Sequence, residues 1–189
     1  MKILSNETIK RRRAEKKTDY KQRLKLLKSN EPRLVVRKSN NHTRIQLVDW
    51  KEDGDEVLAR AGTDELHEFD WKGHTGNLPA AYLAGYLLGQ RALDESIDKC
   101  ILDIGLQKNT PENRIYAAVK GVKDAGIEVP VGDKMIPSDE RIRGEHIREY
   151  ASEMSQGEKE DHFSSLIDKG LDPEKITENF ETAKENIGE

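Results

Sequence analysis

Residues 33–61 read RLVVRKSNNHTRIQLVDWKEDGDEVLARA, and the β-structure of the protein begins here. Apolar positions cluster at 34–36, alternate with polar ones from 43 to 49, and return at 57–61, which predicts three strands. The tetrapeptide at 39–42 is rich in turn-forming residues, and the Asp-Gly dipeptide at 53–54 is a hairpin signal. Because strands joined by short turns pair antiparallel, the stretch predicts an antiparallel meander.

The residues after the meander predict a long helix. Asn77 is a suitable N-cap, Pro79 falls in the first turn, and the apolar pattern continues to about Leu93. Small residues recur at every fourth position over 81–89 and form a smooth ridge on this helix. Because each glycine costs a helix about 1 kcal/mol relative to alanine, the ridge needs a packing reason, and we expect it to approach a sheet closely.

The rest of the chain alternates between strands and helices. Residues 100–104 form a continuous apolar run, CILDI, which is typical of an interior parallel strand. Thr110-Pro111 opens and Gly126 closes the next expected helix, an edge strand is expected over 127–131, and a last long helix over 138–154. This order predicts an α/β fold, namely a three-layer domain whose mixed sheet combines the antiparallel meander with parallel strands.

Charge is segregated along the chain, although the net charge of −4 hides this. Residues 1–50 carry 15 Lys and Arg against 5 Asp and Glu, a net charge of +10, whereas residues 51–189 have a net charge of −14. Residues 151–189 alone hold 11 acidic against 4 basic side chains. We therefore divide the chain into a basic arm with a short helix (1–30), an α/β core domain (31–154) and an acidic helical C-terminal tail (155–189).

The basic arm indicates a polyanionic partner. Residues 1–17 have too few apolar side chains to order alone, so we expect them to order when the partner binds. A short helix capped at Thr18 or Asp19 is expected to run to Lys28. Its apolar face is expected to hold Tyr20, Leu24 and Leu27. Each phosphate that such a segment neutralises releases condensed counterions, which favours binding to nucleic acid.

Composition and motifs exclude several classes of protein. The single cysteine, Cys100, rules out an internal disulfide framework and a multi-cysteine metal site, and it favours a reducing, cytoplasmic location. The mean hydropathy is −0.85, and no apolar run approaches the roughly 18 residues of a membrane span. The sequence does not open with a charged-then-apolar segment followed by a small-residue cleavage site, so we do not expect a secreted protein. We find no phosphate-binding glycine loop, dinucleotide fingerprint or nucleophile elbow, so no cofactor, metal ion or catalytic residue is expected.

One enzymatic alternative follows from the fold class. A mixed sheet of this kind also occurs in nucleases of the ribonuclease-H type, in which carboxylates hold two metal ions. Such a site needs an acidic residue in the first central strand, and residues 33–38 contain none. Asp103 has no obvious partner and is interpreted as a strand-end hydrogen-bond acceptor. Nuclease chemistry is therefore disfavoured.

Cationic and polar side chains bracket the first predicted hairpin. Arginine and lysine suit phosphate groups, whereas serine, asparagine, glutamine and histidine can address sugar hydroxyls and base edges. The set comprises Arg33, Arg37, Lys38, Ser39, Asn40, Asn41, His42, Arg44 and Gln46. A merely exposed hairpin would also carry such residues, but the adjoining basic arm favours a nucleic-acid surface that both elements share.

Several segments closely resemble the archaeal-type family of ribosomal protein L eighteen. They are Arg11-Arg12-Arg13, Thr18-Asp19-Tyr20, residues 23–29 (RLKLLKS), 32–40 (PRLVVRKSN), 75–83 (TGNLPAAYL), 102–106 (LDIGL) and 141–147 (RIRGEHI). The resemblance covers about residues 10–150, and the tail after 155 is similar only in being acidic and helical.

The resemblance implies a ribonuclease-H-like α/β fold without catalysis and a basic arm that lies along RNA. Members of this family fasten 5S rRNA to 23S rRNA in the central protuberance of the large ribosomal subunit. We therefore expect a structural constituent of the cytoplasmic ribosome whose partners are 5S rRNA, 23S rRNA and neighbouring large-subunit proteins, with no membrane contact. A non-ribosomal RNA-binding regulator and a metal-dependent nuclease on the same fold remain the alternatives.

The same resemblance implies three groups of RNA-binding residues. The arm and hairpin group comprises Lys10, Arg11, Arg12, Arg13, Lys16, Lys17, Tyr20, Arg23, Lys28, Arg33, Arg37, Lys38, Ser39, Asn40, His42 and Arg44. The second group is Thr75, Gly76 and Asn77 at a helix N-terminus, where free backbone N–H groups suit a phosphate. The third group is Arg141, Arg143 and His146, for which a solvated helix face is an equally good interpretation.

Overall fold

The structure, a computed structural model, describes residues 9–188, so the first eight residues of the expected basic arm lie outside it. Four strands form one mixed sheet: β1 (Arg33–Lys38), β2 (Thr43–Lys51), β3 (Gly54–Gly62) and β4 (Ile101–Asp103). They lie in the order β3-β2-β1-β4; the first three are antiparallel, and β4 runs parallel to β1. The predicted meander and the mixed α/β sheet are confirmed.

The described residues contain nine α-helices. They are α1 (Arg11–Ala14), α2 (Tyr20–Leu27), α3 (Leu78–Asp94), α4 (Arg114–Asp124), α5 (Asp139–Arg143), α6 (Glu145–Ser152), α7 (Gln156–His162), α8 (Ser164–Ile167) and α9 (Ile176–Gly188). Short 3-10 turns occur at Leu66–Phe69, Asp133–Met135 and Pro173–Lys175. Between residues 9 and 188, no helix is both long enough and apolar enough to cross a membrane.

The hydrophobic core lies between one face of the sheet and helices α3 and α4, which both pack on it. α3 starts as predicted, because the Asn77 side chain accepts a hydrogen bond from the Ala80 N–H at 2.9 Å and Pro79 lies in the first turn. Alternate strand residues point into this core, as period-two patterning requires. The strands contribute Leu34, Val36, Ile45 and Leu47, and α4 contributes its predicted face of Ile115, Val119 and Val122.

Glycines bring α3 and α4 into close contact. A Cβ atom at Gly85 would lie 2.0 Å from the carbonyl oxygen of Ala118, and one at Gly121 would lie 2.1 Å from that of Tyr82. The small-residue ridge over 81–89 therefore faces a helix, and the prediction that it faces a sheet is wrong. The spacing of small residues specifies a close approach, but it does not specify which element approaches.

The sheet ends sooner than predicted beyond β4. Residues 127–131 form no strand, and only Glu128 makes a parallel bridge, with Lys99. The Cys100 N–H donates to the Glu128 carbonyl oxygen at 3.0 Å. Pro130 has no N–H group to continue such a ladder. β4 is consequently an edge strand, and its predicted interior position is wrong.

Two helix boundaries also differ from the prediction. α4 begins at Arg114, after Asn113, whose side chain caps the first turn, and Thr110-Pro111 lies in the preceding loop. The single helix predicted over 138–154 is two helices, α5 and α6. Gly144 separates them because its φ of +84° lies in the left-handed region, outside α-helical geometry.

The C-terminal helix α9 packs against α3. Phe180 is buried, and the centroid of its ring lies 5.5 Å from that of Tyr82. Asn179, also buried, donates to the Asp70 carbonyl oxygen at 2.8 Å and accepts from the Lys72 N–H at 3.1 Å. The apolar face of α9 thus belongs to the core, while its acidic residues cover the outside.

Helix α2 of the arm lies beside the opposite face of the sheet. Its predicted cap at Asp19 is confirmed, because the carboxylate accepts hydrogen bonds from two backbone N–H groups of the first turn. The predicted apolar face is wrong at Leu24, which is 58% exposed, whereas Leu26 and Leu27 are half-buried. The helix is short and lies over a charged surface, so its contacts are set by that surface and less by its own periodicity.

Candidate nucleic-acid interface

The turn between β1 and β2 stands at one end of the sheet, beyond the register pair of Lys38 and Thr43. Ser39 closes this turn. Its N–H donates to the His42 carbonyl oxygen at 2.8 Å, and its Oγ accepts from the His42 N–H at 3.0 Å. Residues 40–41 form the exposed tip. The paired strands and these local bonds hold the polar side chains of the turn on a defined backbone.

The loop at 74–77 docks against this turn. Thr75 Oγ1 donates to the Asn41 carbonyl oxygen at 2.7 Å. A Cβ atom at Gly76 would lie only 2.6 Å from the Asn40 carbonyl oxygen, so the approach requires glycine. The loop ends in the N-cap of α3. The hairpin turn and the second predicted group are thus brought together on one surface.

Arg114 joins the two segments, and sequence reasoning missed it. Its Nη2 donates to the Ser39 carbonyl oxygen at 2.7 Å, and its Nη1 donates to the carbonyl oxygens of Gly76 at 2.8 Å and Asn40 at 3.3 Å. In the sequence, an arginine in the first turn of a helix has the pattern of an ordinary solvated cation. Its acceptors lie up to 75 residues away in the chain, so no local signal could reveal them.

Asp103 is the centre of a second, separate network on the sheet. Arg33 Nη1 donates to its Oδ2 at 2.9 Å, and Arg37 Nη2 donates to its Oδ1 at 3.0 Å. The Gly105 N–H adds a third donor at 2.8 Å, and Arg33 Nη2 also donates to Asp55 at 2.7 Å. Asp103 is a strand-end acceptor, as interpreted, but the view that it lacks a partner is wrong, because parallel pairing of β1 with β4 places both arginines beside it.

This network changes what Arg33 can do. The residue is only 3% exposed, so its guanidinium is used inside the protein and has almost no surface to offer RNA. Arg37 keeps 43% of its side chain exposed despite its bonds to Asp103. Beside them is a cavity of about 310 Å³ between α2 and the sheet. Its charged lining consists of Arg12, Lys17, Asp19, Arg23, Arg33, Arg37, Asp55 and Asp103.

Most cations of the arm remain exposed. Lys10 Nζ lies 4.6 Å from the ring centroid of Tyr20, and Arg12 Nε donates to Thr18 Oγ1 at 2.9 Å. Lys17 lies 2.9 Å from the carboxylate of Glu15. Arg23, by contrast, is half-buried and donates to Asp55 at 2.7 Å. Among the arm and hairpin cations predicted to bind RNA, the exposed ones are Lys10, Arg11, Arg12, Arg13, Lys16, Lys17 and Lys28 in the arm and Arg37, Lys38 and Arg44 in the hairpin.

The third predicted group lies on α5 and α6, whose junction packs against Pro79 in the first turn of α3. Arg141 and Arg143 are exposed, and Arg143 Nε lies 3.4 Å from the carboxylate of Glu181. Burial, and then the charge of Arg141, lowers the pKa of His146. The lowered pKa favours the neutral imidazole, which offers hydrogen bonding instead of charge.

The chemistry of this surface is charge and hydrogen bonding. Within residues 9–188, no group of three or more His, Cys, Asp or Glu side chains is placed to hold a metal ion. Burial, together with the charge of Glu31, raises the pKa of the Cys100 thiol to about 12, so this cysteine is a poor nucleophile. Guanidinium and ammonium groups suit phosphates, and the amides of the turn suit sugars and bases.

The fold and this surface together define a class of protein, an α/β protein whose mixed sheet presents a cationic turn, a docked glycine loop and a basic arm. The family model described as "Ribosomal large subunit proteins 60S L5, and 50S L18" matches residues 6–99 and 94–132. The chain is 48% identical over 179 residues to "Large ribosomal subunit protein uL18" of Methanosphaera stadtmanae, covering 95% of this chain and 93% of that one. It is 47% identical over 178 residues to the protein of that name from Korarchaeum cryptofilum, covering 94% and 91%. The chain belongs to this family of large-subunit ribosomal proteins.

Proposed function

We propose that this chain is a structural constituent of the large ribosomal subunit that binds 5S rRNA and attaches it to 23S rRNA in the central protuberance. The observation that carries the proposal is the docking of the turn at 39–42 on the loop at 74–77, beside an exposed basic arm, in a member of this family. A place in the cytoplasmic ribosome follows from the relatives, which are named as large-subunit proteins.

The predicted residues divide into two roles. Exposed arm cations neutralise phosphates, while the turn and the docked loop present hydrogen-bonding groups at set positions. Arg33 holds the sheet instead of touching RNA, because it is buried in its ion pairs. The proposed contacts are Lys10, Arg11, Arg12, Arg13, Lys16, Lys17, Tyr20, Arg23, Lys28, Arg37, Lys38, Ser39, Asn40, His42, Arg44, Thr75, Gly76 and Asn77, with Arg141, Arg143 and His146 as a third group.

We further propose that the core is a three-layer domain of the ribonuclease-H-like type without catalysis. Asp103 is the carboxylate on β4 that a metal-dependent nuclease could recruit, and two guanidinium groups occupy both of its oxygens. A metal ion would have to displace these cations, and β1 supplies no second carboxylate. We expect no RNA cleavage with excess Mg²⁺ or Mn²⁺. Metal-dependent cleavage that disappears in Asp103→Asn would contradict this.

Neighbouring ribosomal proteins are proposed to contact the acidic end of the chain. Residues 151–189 have a net charge of −7, and the exposed side chains of Glu178 and Glu185 lie on the outer surface of α9. Such a surface repels RNA and complements basic protein segments.

The test is a pull-down of the full chain from total RNA, with sequencing of what it retains. We expect 5S rRNA to be enriched over a length-matched control RNA, and ribonuclease treatment to remove the high-mass species in gel filtration. Enrichment of other RNAs without 5S rRNA would support a non-ribosomal RNA-binding regulator and contradict the proposal.

A further inference from the structure

We propose that Arg114 is a positioning residue that clamps the turn at 39–42 to the loop at 74–77, and that this clamp sets the selectivity of the surface for its RNA. As far as RNA is concerned, this role rests on the function proposed above. The clamp itself is a property of the free protein and can be measured without RNA.

The clamp consists of one guanidinium and three backbone acceptors. Arg114 bonds to the carbonyl oxygens of Ser39 and Asn40 on one side and of Gly76 on the other. A guanidinium presents its donors in a rigid planar fork, so the three bonds fix the distance and the angle between the two segments. A flexible ammonium group at the same place could not reproduce this geometry.

A second contact acts in parallel with Arg114. Thr75 Oγ1 binds the Asn41 carbonyl oxygen at 2.7 Å, so three successive carbonyl groups of the turn, at 39–41, accept hydrogen bonds from outside it. The backbone orientation of the tip is thereby set. The side chains of residues 40–41 stay exposed and are displayed from a fixed backbone, which is the condition for reading base and sugar positions.

Arg114 also brings charge to the junction. Its three acceptors are neutral carbonyl oxygens, so these bonds do not cancel its positive charge as a carboxylate would. Burial lowers its pKa, but a guanidinium remains protonated at neutral pH. The junction between the two segments therefore carries a partly desolvated positive charge, which favours a phosphate there.

Two substitutions separate geometry from charge. Arg114→Lys keeps the positive charge but removes the planar fork of donors. Hydrogen exchange in the free protein should therefore accelerate together at the hydrogen-bonded amides of Ser39 and His42 in the turn and of Gly76 in the loop. The preference for 5S rRNA over a length-matched control should fall roughly tenfold, which corresponds to about 1.4 kcal/mol. The salt dependence of binding should stay unchanged. Arg114→Gln should lose the same preference and also shallow the slope by about 0.7–0.9.

Arg91 provides the matched control. Its Nη1 donates to the Arg60 carbonyl oxygen at 2.6 Å and to Glu65 at 2.8 Å, which is a comparable backbone clamp outside the candidate interface. Arg91→Lys should leave the exchange of both segments and the RNA preference at wild-type levels. All measurements are made at a temperature well below the midpoint of thermal unfolding, which is determined for each variant.

Three results would overturn the role of Arg114. One is wild-type exchange of both segments in Arg114→Lys. Another is wild-type preference in that variant despite faster exchange, and the third is an equal loss of preference in Arg91→Lys. A wild-type protein without any preference for 5S rRNA would instead refute the proposed function, and with it the selectivity role. The exchange experiment would still decide whether the clamp exists.

Discussion

Arg33 on β1 and Asp103 on β4 form a buried ion pair in which Nη1 and Oδ2 are 2.9 Å apart, although 70 residues separate them in the sequence. Their side chains are 4% and 9% exposed. Arg37 and the Gly105 N–H satisfy the other carboxylate oxygen. The pair holds β4 against the meander. Asp103 thereby serves as a structural hydrogen-bond acceptor, whereas a nuclease on this sheet would need this carboxylate to bind a metal ion.

Removing the charge of Asp103 should destabilise the protein. In Asp103→Asn, the buried Arg33 and the partly exposed Arg37 lose their shared carboxylate. Breaking a buried pair commonly costs 3–5 kcal/mol, and we expect about 3 kcal/mol because Asp55 still pairs with Arg33. The free energy of unfolding in urea measures this.

Glu56→Gln is the control for that substitution, because it removes an exposed carboxylate 3.4 Å from Lys51. Exposed ion pairs contribute about 0–1 kcal/mol to the free energy of unfolding, so the midpoint of urea unfolding should hardly change. Equal effects of the two substitutions would refute the structural role assigned to Asp103.

An added methyl group between α3 and α4 should be poorly tolerated. In Gly121→Ala the new Cβ would lie 2.1 Å from the Tyr82 carbonyl oxygen, and backbone atoms cannot move aside without shifting a helix. We expect a loss of about 3 kcal/mol or more, at the upper end of overpacking effects. Gly157→Ala in α7 meets no atom within 4 Å and should be neutral or stabilising by up to about 1 kcal/mol. Urea unfolding of both variants measures the difference; comparable stability of the two would contradict the close helix contact.

The arm and the turn should contribute differently to RNA binding. If about 8 phosphates are contacted, log affinity should fall with log salt at a slope of about −6 to −7. Replacing Arg11, Arg12 and Arg13 with Ala should make this slope shallower by about two and weaken the binding of all RNAs alike. The reason is that these exposed cations respond to the density of phosphate charge and not to the base sequence. Filter binding over a salt series gives the slope.

Asn40→Ala should change the preference for 5S rRNA and leave the salt dependence of RNA affinity as it is. Asn40 is exposed on a turn that Arg114 and Ser39 hold, so its amide has a set position from which to discriminate. We expect the preference for 5S rRNA over a length-matched control to fall, with the slope unchanged. The division of roles would be wrong if the arm variant lost preference and Asn40→Ala lost only affinity.

His146 should make the stability of the protein fall in mildly acidic solution. Burial lowers the pKa of His146, so the unfolded chain, with an imidazole pKa of about 6.5, takes up this proton more readily than the folded protein does. The stabilising contribution is complete above about pH 6.5 and is lost as the pH falls through the folded pKa. Unfolding of wild type and His146→Asn at pH 7.5 and 5.5 measures it, and an equal pH dependence in both proteins would refute it.

Local patterns predicted the meander, the caps at Asp19 and Asn77 and the buried face of α4, because strand alternation, turn chemistry and capping depend on residues close together in the chain. The same patterns gave wrong predictions where the answer depended on which distant element packs against a segment. The ridge over 81–89 indicated close packing but not its partner, and the apolar run over 127–131 could not show that pairing stops after one bridge.

The sequence by itself determined the mixed α/β sheet, the basic arm, the position of the cationic hairpin and the family to which these motifs point. Only the tertiary structure decided that Arg33 is buried against Asp103, that the turn and the loop at 74–77 are a single surface, and that Arg114 holds them together. The physical reason is that these hydrogen bonds join residues 34 to 75 positions apart. Their partners are set by how the strands and helices pack, and no neighbouring residue in the chain encodes them.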